Sequence, residues 1–388
     1  MFWRSPKVYF SVICLFGVIL IVGFIVLSRN FYLPGFFIGD RHGDLVNEVP
    51  PADKKPGPIS SKPSTLLFVG DMMFDRSIRT VIEREQNPLY PFLLLASTTR
   101  AADLLIGNLE GPISARGTNQ GSEYSFEFSP TSTINALKHA GFDVLNLANN
   151  HIFDYGLTAA SDTMQYLREA GISYIGFGKD WSETNEPVIK ILGTTRIAFL
   201  GFTEFYGESA RAKSDTPGLS MSVKYHSYCD RSNYDMCALI AQAKKIYAAD
   251  IVVVSMHWGQ EYETHSNNAQ RQLAHQLIDA GADLIVGHHP HVAQEVEYYS
   301  PFPKGSTPAG GRDLESKSLT ASGPLPLGKG EGYIAYSLGN FVFDQNFSAD
   351  TGRGLMLRVT LAGSKIRAVE PLEVKFTSEY QPYLSAGQ

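Results

Sequence analysis

Cysteine is scarce in this chain, with three in 388 residues. Cys14 sits inside an apolar run, so only Cys229 and Cys237 remain, in YCDRSNYDMC. That is too few thiolates for a closed, cysteine-rich zinc site. A pair flanking a short polar loop suits a disulfide in an oxidising compartment; two unpaired thiols are the alternative. A surplus of positive charge is also missing. The net charge of −6 leaves no footprint for nucleic acid, which is not expected as a partner. No unit recurs at a fixed period, which excludes a solenoid or propeller. Charged residues at 19% and hydrophobic ones at 44% are ordinary, and the length suits one large domain or two average ones.

One segment departs from that average. Residues 8–27, VYFSVICLFGVILIVGFIVL, carry no charge over twenty positions. At about 1.5 Å per residue they span the roughly 30 Å hydrocarbon core of a bilayer. A cleaved signal peptide has a shorter apolar region and a small-residue cleavage site, whereas this run leads into SRNFYLPG. The reading is a transmembrane signal anchor behind a cytoplasmic tail, 1–7. Arg4 and Lys7 before the span and Arg29 and Arg41 after it nearly balance; the N-terminal amine tips the orientation toward N-inside. The rest of the chain is then expected on the extracytoplasmic side, single-pass and membrane-anchored.

Residues 28–64 form a linker, rich in Pro, Lys and Ser toward its end (EVPPADKKPGPISSKPS). A folded domain is expected over 65–375, with a tail at 376–388. Within the domain one grammar recurs: an apolar run followed by polar residues at its C-terminal end. It appears in TLLFVGD (65–71), DLLIGNLE (103–110), FDVLNLANNH (142–151), DIVVVSMHWG (250–259) and DLIVGHHPH (283–291). Helical spacing fills the gaps at 133–141, 158–171, 235–249 and 267–281, and three of these segments stop at Ala-Gly. Alternating strands and helices predict an α/β core. GYIAYSLGNFVF (332–343) and GLMLRVTLAG (354–363) follow with no helix between them, which predicts antiparallel pairing and mixed sheets. The Gly-, Pro- and Ser-dense stretch 300–332 is too long for an ordinary loop. It is either a mobile insertion near the site or a simple excursion.

Five strand ends carry the chemistry: Asp71, Glu110, Asn150 with His151, His257, and His289 with His291. C-terminal ends of neighbouring parallel strands converge on one crevice. Two carboxylates, an amide oxygen and several imidazoles suit a divalent Mn, Fe or Zn ion, without distinguishing them. The donors exceed what one tetrahedral ion needs and match two, with Glu110 placed to bridge. Singly, each motif has a plainer explanation. A Gly-Asp can end in a turn or helix cap, and His257 can pack beside Trp258. Three histidines in GHHPH are harder to explain as core. Arg76, placed one turn into a helix after Asp71, suits an anionic group held bidentately, or else is an exposed helix arginine. Asn340 in SLGNF is a candidate to line the same crevice, while Glu295 fits a supporting role.

The segments VGDMMFDR, IGNLEGPI, NLANNHIFDYG, MHWGQEY, GHHPHVAQEVE and YSLGNFVFD resemble the signature blocks of the bacterial capsule-synthesis CapA family, over residues 64–371. The resemblance implies a part in poly-γ-glutamate capsule synthesis and export. It also implies a domain related to the calcineurin-like metallophosphoesterases: a layered α/β/β/α sandwich with mixed sheets, here behind one transmembrane helix. That pattern reads G-D-x-H, G-D-x-x-D, G-N-H-D/E, a lone His, then G-H-x-H. Asp71 matches its first aspartate, Glu110 replaces the bridging aspartate, and Asn150, His257, His289 and His291 match ligands. His151 matches the usual acid, with Asp154 placed to orient its ring. Met73 stands where the first histidine belongs, and His288 has no counterpart.

Two functions follow. One is a metal-dependent phosphoesterase-type hydrolase acting on an anionic polymer or phosphoester. The other is a non-catalytic binding or assembly partner of membrane polymer synthase subunits, keeping the fold and some metal. His151 with Asp154 favours the first and Met73 the second.

Overall fold

A computed structural model describes residues 63–221, 236–300 and 330–385. The expected anchor at 8–27, most of the linker, Cys229 and nearly all of the 300–332 stretch lie outside the described residues. Among the described residues no helix is long and apolar enough to cross a membrane. Cys237 is disulfide-bonded.

The main elements run β1 (Ser64–Met72), α1 (Arg76–Arg84), β2 (Leu104–Leu109), α2 (Pro130–Ala140), β3 (Val144–Asn146), α3 (Gly156–Ala170) and β4 (Ser173–Ile175). They continue with β5 (Val188–Leu192), β6 (Thr195–Thr203), α4 (Met236–Lys245), β7 (Ile251–His257), α5 (Asn268–Asp279) and β8 (Leu284–His288). The remaining strands are β9 (Val296–Tyr299), β10 (Gly332–Ala335), β11 (Asn340–Val342), β12 (Arg353–Ala362), β13 (Lys365–Phe376) and β14 (Pro382–Leu384).

These strands make two large mixed sheets. The first has the order β14-β13-β12-β1-β2-β3-β4, with β11 also pairing β1. The second has the order β9-β10-β8-β7-β6-β5. Period-two alternation explains why the predicted strands read as continuous apolar runs. On β1, Leu66 and Phe68 face the second sheet's Phe199, Val253 and Val286, while Leu67 and Val69 face α2 and α3. On β7, Ile251 and Val253 take the inter-sheet side and Val252 and Val254 meet α4 and α5. Four layers result, helices outside and two sheets within.

Helix ends follow their local chemistry. Gly141 (φ 88°) and Gly171 (φ 75°) cap α2 and α3 in the left-handed conformation that the Ala-Gly stops predicted. Asn267 and Gln270 close a reciprocal capping box on α5.

Four expectations change. The five apolar runs do not share a sheet: β1 to β3 belong to the first and β7 and β8 to the second. The 332–343 run splits: β10 lies parallel to β8 and antiparallel to β9, while β11 lies parallel to β1, so this segment crosses between sheets and pairs antiparallel only in its first half. The antiparallel expectation is met by β12, which pairs β1 and β13 that way. Third, the linker stops short of Ser64, which already starts β1. Last, the expected tail contributes β14, paired with β13.

Gly70 shows how tightly the crossing segment is seated. A Cβ added there would land on the Gly339 carbonyl oxygen, whose partner is the Asp71 N–H at 2.9 Å. Gly70→Ala should lower unfolding stability by about 1–3 kcal/mol, the usual overpacking range. Urea melts would show it; an unchanged midpoint would mean that β1 and β11 separate freely.

Candidate metal centre

The ends of both sheets meet at one buried cluster. Asp71 ends β1, Glu110 follows β2, His257 ends β7, and His289 and His291 follow β8; all five are buried. His289 (φ 96°) and His291 (φ 57°) both occupy left-handed backbone, which non-glycine residues adopt only under local constraint. Pro290 between them and the Tyr262 N–H to Pro290 O bond at 2.8 Å fix that turn.

Asp71 is well supplied with donors. Its Oδ1 accepts from Asn108 Nδ2 at 2.9 Å and lies 3.1 Å from His288 Nδ1. Its Oδ2 accepts from the His289 backbone N–H at 3.1 Å and lies 3.5 Å from His291 Nδ1. Burial works against the charge, but the His288 and His291 rings and the His289 amide outweigh it and hold the carboxyl below its usual range. Glu110 is the opposite. Burial, then the charges of Asp71, Glu261 and Asp154, pushes it well up. Its Oε2 accepts from Asn108 Nδ2 at 3.2 Å, yet Oε1 has no hydrogen-bond partner among the described residues. Around Oε1 stand His291 Nε2 at 3.4 Å and His151 Nε2 and His257 Nε2 at 4.0 Å each.

Burial disfavours the charged form of three of the histidines, His257, His289 and His291. Burial drives His257 well below its ordinary pKa, with the other imidazoles adding to it, and takes His289 to about 3. Burial likewise lowers His291, against the pull of Asp71. His257 Nε2 lies 2.7 Å from Asn150 Oδ1, and His289 Nδ1 is buried without a hydrogen-bond partner among the described residues. Two groups offer ligand atoms within 4.8 Å of one another: Glu110 with His289 and His291, and Asp71 with Glu110 and His257. A buried carboxylate oxygen and imidazole nitrogen left unpaired would be costly in a protein meant to stay empty there. The donor set therefore fits a divalent cation held by oxygen and nitrogen.

At the mouth, His151 Nδ1 lies 2.7 Å from Asp154 Oδ2, the contact expected from their spacing. Asp154 Oδ2 also accepts from the Phe126 N–H at 2.9 Å, and the Phe126 ring packs on His151 at 4.3 Å. Arg76 is the first residue of α1, capped by Asp75, not one turn in. Its guanidinium already holds a carboxylate bidentately, that of buried Asp344, with Nε 3.1 Å from Oδ2. Asn340 stands behind the ligands: its Oδ1 meets His291 Nδ1 at 3.0 Å. Glu295 binds Ser266 instead of the cluster. Met73 is fully buried, its sulfur accepting the Asp75 N–H at 3.0 Å.

Sequence reasoning missed a layer of amides beneath the ligands. Asn108 bonds both carboxylates and lies 3.4 Å from His257 Nδ1, while its own Oδ1 accepts from Asn146 Nδ2 at 3.1 Å and Asn149 Nδ2 at 3.4 Å. The signal was present in IGNLE and NLANN, asparagines inside otherwise apolar runs. His288, set aside as surplus, packs against Asp71.

A profile of the bacterial capsule synthesis protein PGA_cap family matches residues 65–345. The chain belongs to that family. Among PGA_cap relatives, it is 33% identical to the capsule biosynthesis protein CapA of Bacillus anthracis, over 80% of this chain and 67% of that protein. It is 35% identical to the PGA biosynthesis protein CapA of Bacillus subtilis (strain 168), over 72% of this chain and 63% of that one. A probable polyglutamine synthesis accessory protein of Mycobacterium tuberculosis is 32% identical, over 51% and 52%. The chain thus spans about half to two thirds of these PGA_cap relatives. Among solved structures, the NAD nucleotidase of Haemophilus influenzae overlaps 84% of this chain and 60% of that one, at 12% identity and a TM-score of 0.41.

Proposed function

We propose that the protein works in capsule synthesis of the poly-γ-glutamate type, as an extracytoplasmic hydrolase of phosphoesters with a metallophosphoesterase-like centre, anchored through residues 8–27. The observation that carries the hydrolase reading is Glu110 Oε1, without a hydrogen-bond partner among the described residues, beside the His257 and His291 imidazoles, with the His151–Asp154 pair 4.0 Å away. Asp71, Glu110, Asn150, His257, His289 and His291 are the residues that would hold metal. A bound divalent ion supplies Lewis-acid stabilisation of charge on a phosphoryl group. The chain's own part is to orient the phosphoester at the mouth and to deliver a proton from His151 to the leaving oxygen.

One observation favours a second reading, an assembly partner of membrane synthase subunits on an anionic polymer. Met73 places an apolar side chain in the core where the hydrolase pattern has a ligand. Metal analysis of the purified full chain, beside phosphomonoester and phosphodiester assays, separates the two. The expected result is bound metal and turnover, both lost in His289→Ala. Metal without turnover would leave the assembly reading; wild-type metal near zero would remove both.

A further inference from the structure

Among the described residues, the exposed Phe, Tyr and Trp side chains are Tyr124, Tyr262 and Phe347, and all of them stand around the mouth of the cluster. Resting on the hydrolase reading above, we propose that they form a stacking subsite with Tyr262 as its platform. The substrate is then a phosphoester whose organic group carries a ring.

Tyr262 is held more firmly than an exposed loop residue needs to be. Its backbone is left-handed (φ 66°), which a bulky side chain adopts only where its surroundings impose it. Its N–H donates to the Pro290 carbonyl at 2.8 Å, and its hydroxyl accepts from Gln345 Nε2 at 3.2 Å. Phe347 meets the ring edge to face, with centroids 5.0 Å apart at 84°. Yet Tyr262 remains 41% exposed and Phe347 64%. A patch of rings that is fixed in place and still open to water marks a surface where another molecule binds.

The same contacts fix the platform relative to the cluster. Gln345 Oε1 accepts from Asn340 Nδ2 at 3.2 Å, and Asn340 Oδ1 lies 3.0 Å from His291 Nδ1. A chain of amides thus ties the Tyr262 hydroxyl to His291, and the two rings lie 6.3 Å apart. Tyr124 comes from the His151 side. Its loop is tied at both ends to Asp154, by the Gln120 N–H at 2.8 Å and the Phe126 N–H at 2.9 Å, and Phe126 packs on His151. The Tyr124 and Tyr262 hydroxyls are close enough to interact electrostatically. A group held at Glu110 and His291 therefore has aromatic surface beside it from both sides. Stacking brings large flat areas together at little cost in side-chain freedom, so a ring gains more from this rim than an open chain does.

The test is calorimetric titration of the full chain, with Mn²⁺ supplied, using phosphonates, whose P–C bond resists hydrolysis. Phenylphosphonate offers a planar ring, cyclohexylphosphonate a saturated one, and n-hexylphosphonate an open chain of equal carbon count. Wild type should bind one of the rings about tenfold tighter than the open chain, the lower end of what one stacking partner contributes. A planar winner points to a base-like ring and a saturated winner to a sugar-like one; either supports the subsite. Tyr262→Ala should bring the ratio to about one, and Tyr262→Phe should keep it near the wild-type value. Phe347→Ala, at an exposed position, should lower the ratio about threefold and decides the matter if Tyr262→Ala does not fold. No binding, no ring preference in wild type, or a preference that survives the alanine variants would overturn the proposal. A ring preference without ester turnover would keep the subsite and remove the hydrolase reading; turnover without a ring preference would do the reverse.

Discussion

Asn108→Asp should destabilise the metal-stripped chain by about 3–5 kcal/mol, the range for leaving a buried charge uncompensated. The amide now lies between two buried carboxylates, donating through one nitrogen to Asp71 at 2.9 Å and to Glu110 at 3.2 Å. Replacing that nitrogen by oxygen turns a shared donor into a third acceptor. Asp71 and Glu110 lose their common N–H, and the new carboxyl stands among like charges in a fully buried site. The pH dependence has a definite sign. The introduced carboxyl, buried beside two carboxylates, has its folded-state pKa raised above its unfolded value of about 3.9. Below the unfolded value both states are protonated and the penalty is smallest. It grows as pH rises from there through the folded value, because the native state then holds a proton that the unfolded state has released. Urea unfolding of wild type and variant across that range measures the difference. A loss under about 1 kcal/mol, equal at every pH, would show that the amide only fills space.

That asparagine also marks where sequence reading stopped. The ends of strands were legible because burial on both faces of a sheet leaves an apolar run, and the run ends where polar ligands begin. His151 and Asp154, three residues apart, could be paired from spacing alone because the contact is local. What could not be read was which sheet each run joins. β1 and β7 have the same grammar, and only the packing of Phe68 against Val253 and Val286 separates them into facing layers. β5 and β6 were missed altogether: β5 is only partly buried, so its apolar residues do not stand out as a run. Arg76 fails for a related reason. Its anion is Asp344, 268 positions away in sequence, brought alongside by the crossing segment that ends in β11. Asn108 was passed over because one amide inside an apolar strand gives no period and no spacing. Its meaning appears only when carboxylates from β1 and β2 and a histidine from the other sheet close around it. Local contacts and hydrophobic patterning were readable; the polar support beneath the ligands is long-range and was not.

His151→Ala should lower phosphoester turnover about 10²–10⁴-fold, the usual contribution of a positioned general acid, while bound metal stays at the wild-type level. The tautomer argument comes first. Asp154 Oδ2 accepts the Phe126 N–H and sits 2.7 Å from His151 Nδ1, so Nδ1 carries a proton toward Asp154 and Nε2 is the atom that exchanges one. Nε2 points to the cluster, 4.0 Å from Glu110 Oε1, close enough to meet a leaving oxygen but outside both groups of candidate ligands. Stacking on Phe126 keeps the ring there. Asp154→Asn keeps the shape but offers Nδ1 an amide in place of a carboxylate, and should cost about 10–100-fold, as losses of supporting hydrogen bonds do. Leaving-group chemistry separates proton donation from mere packing. A nitrophenyl ester departs as a stable phenolate and needs no proton, so His151→Ala should barely slow it. An alkyl ester leaves as an alkoxide and should show the full loss. If both esters slow equally, or if metal leaves together with the imidazole, His151 supports the centre and does not serve as its acid.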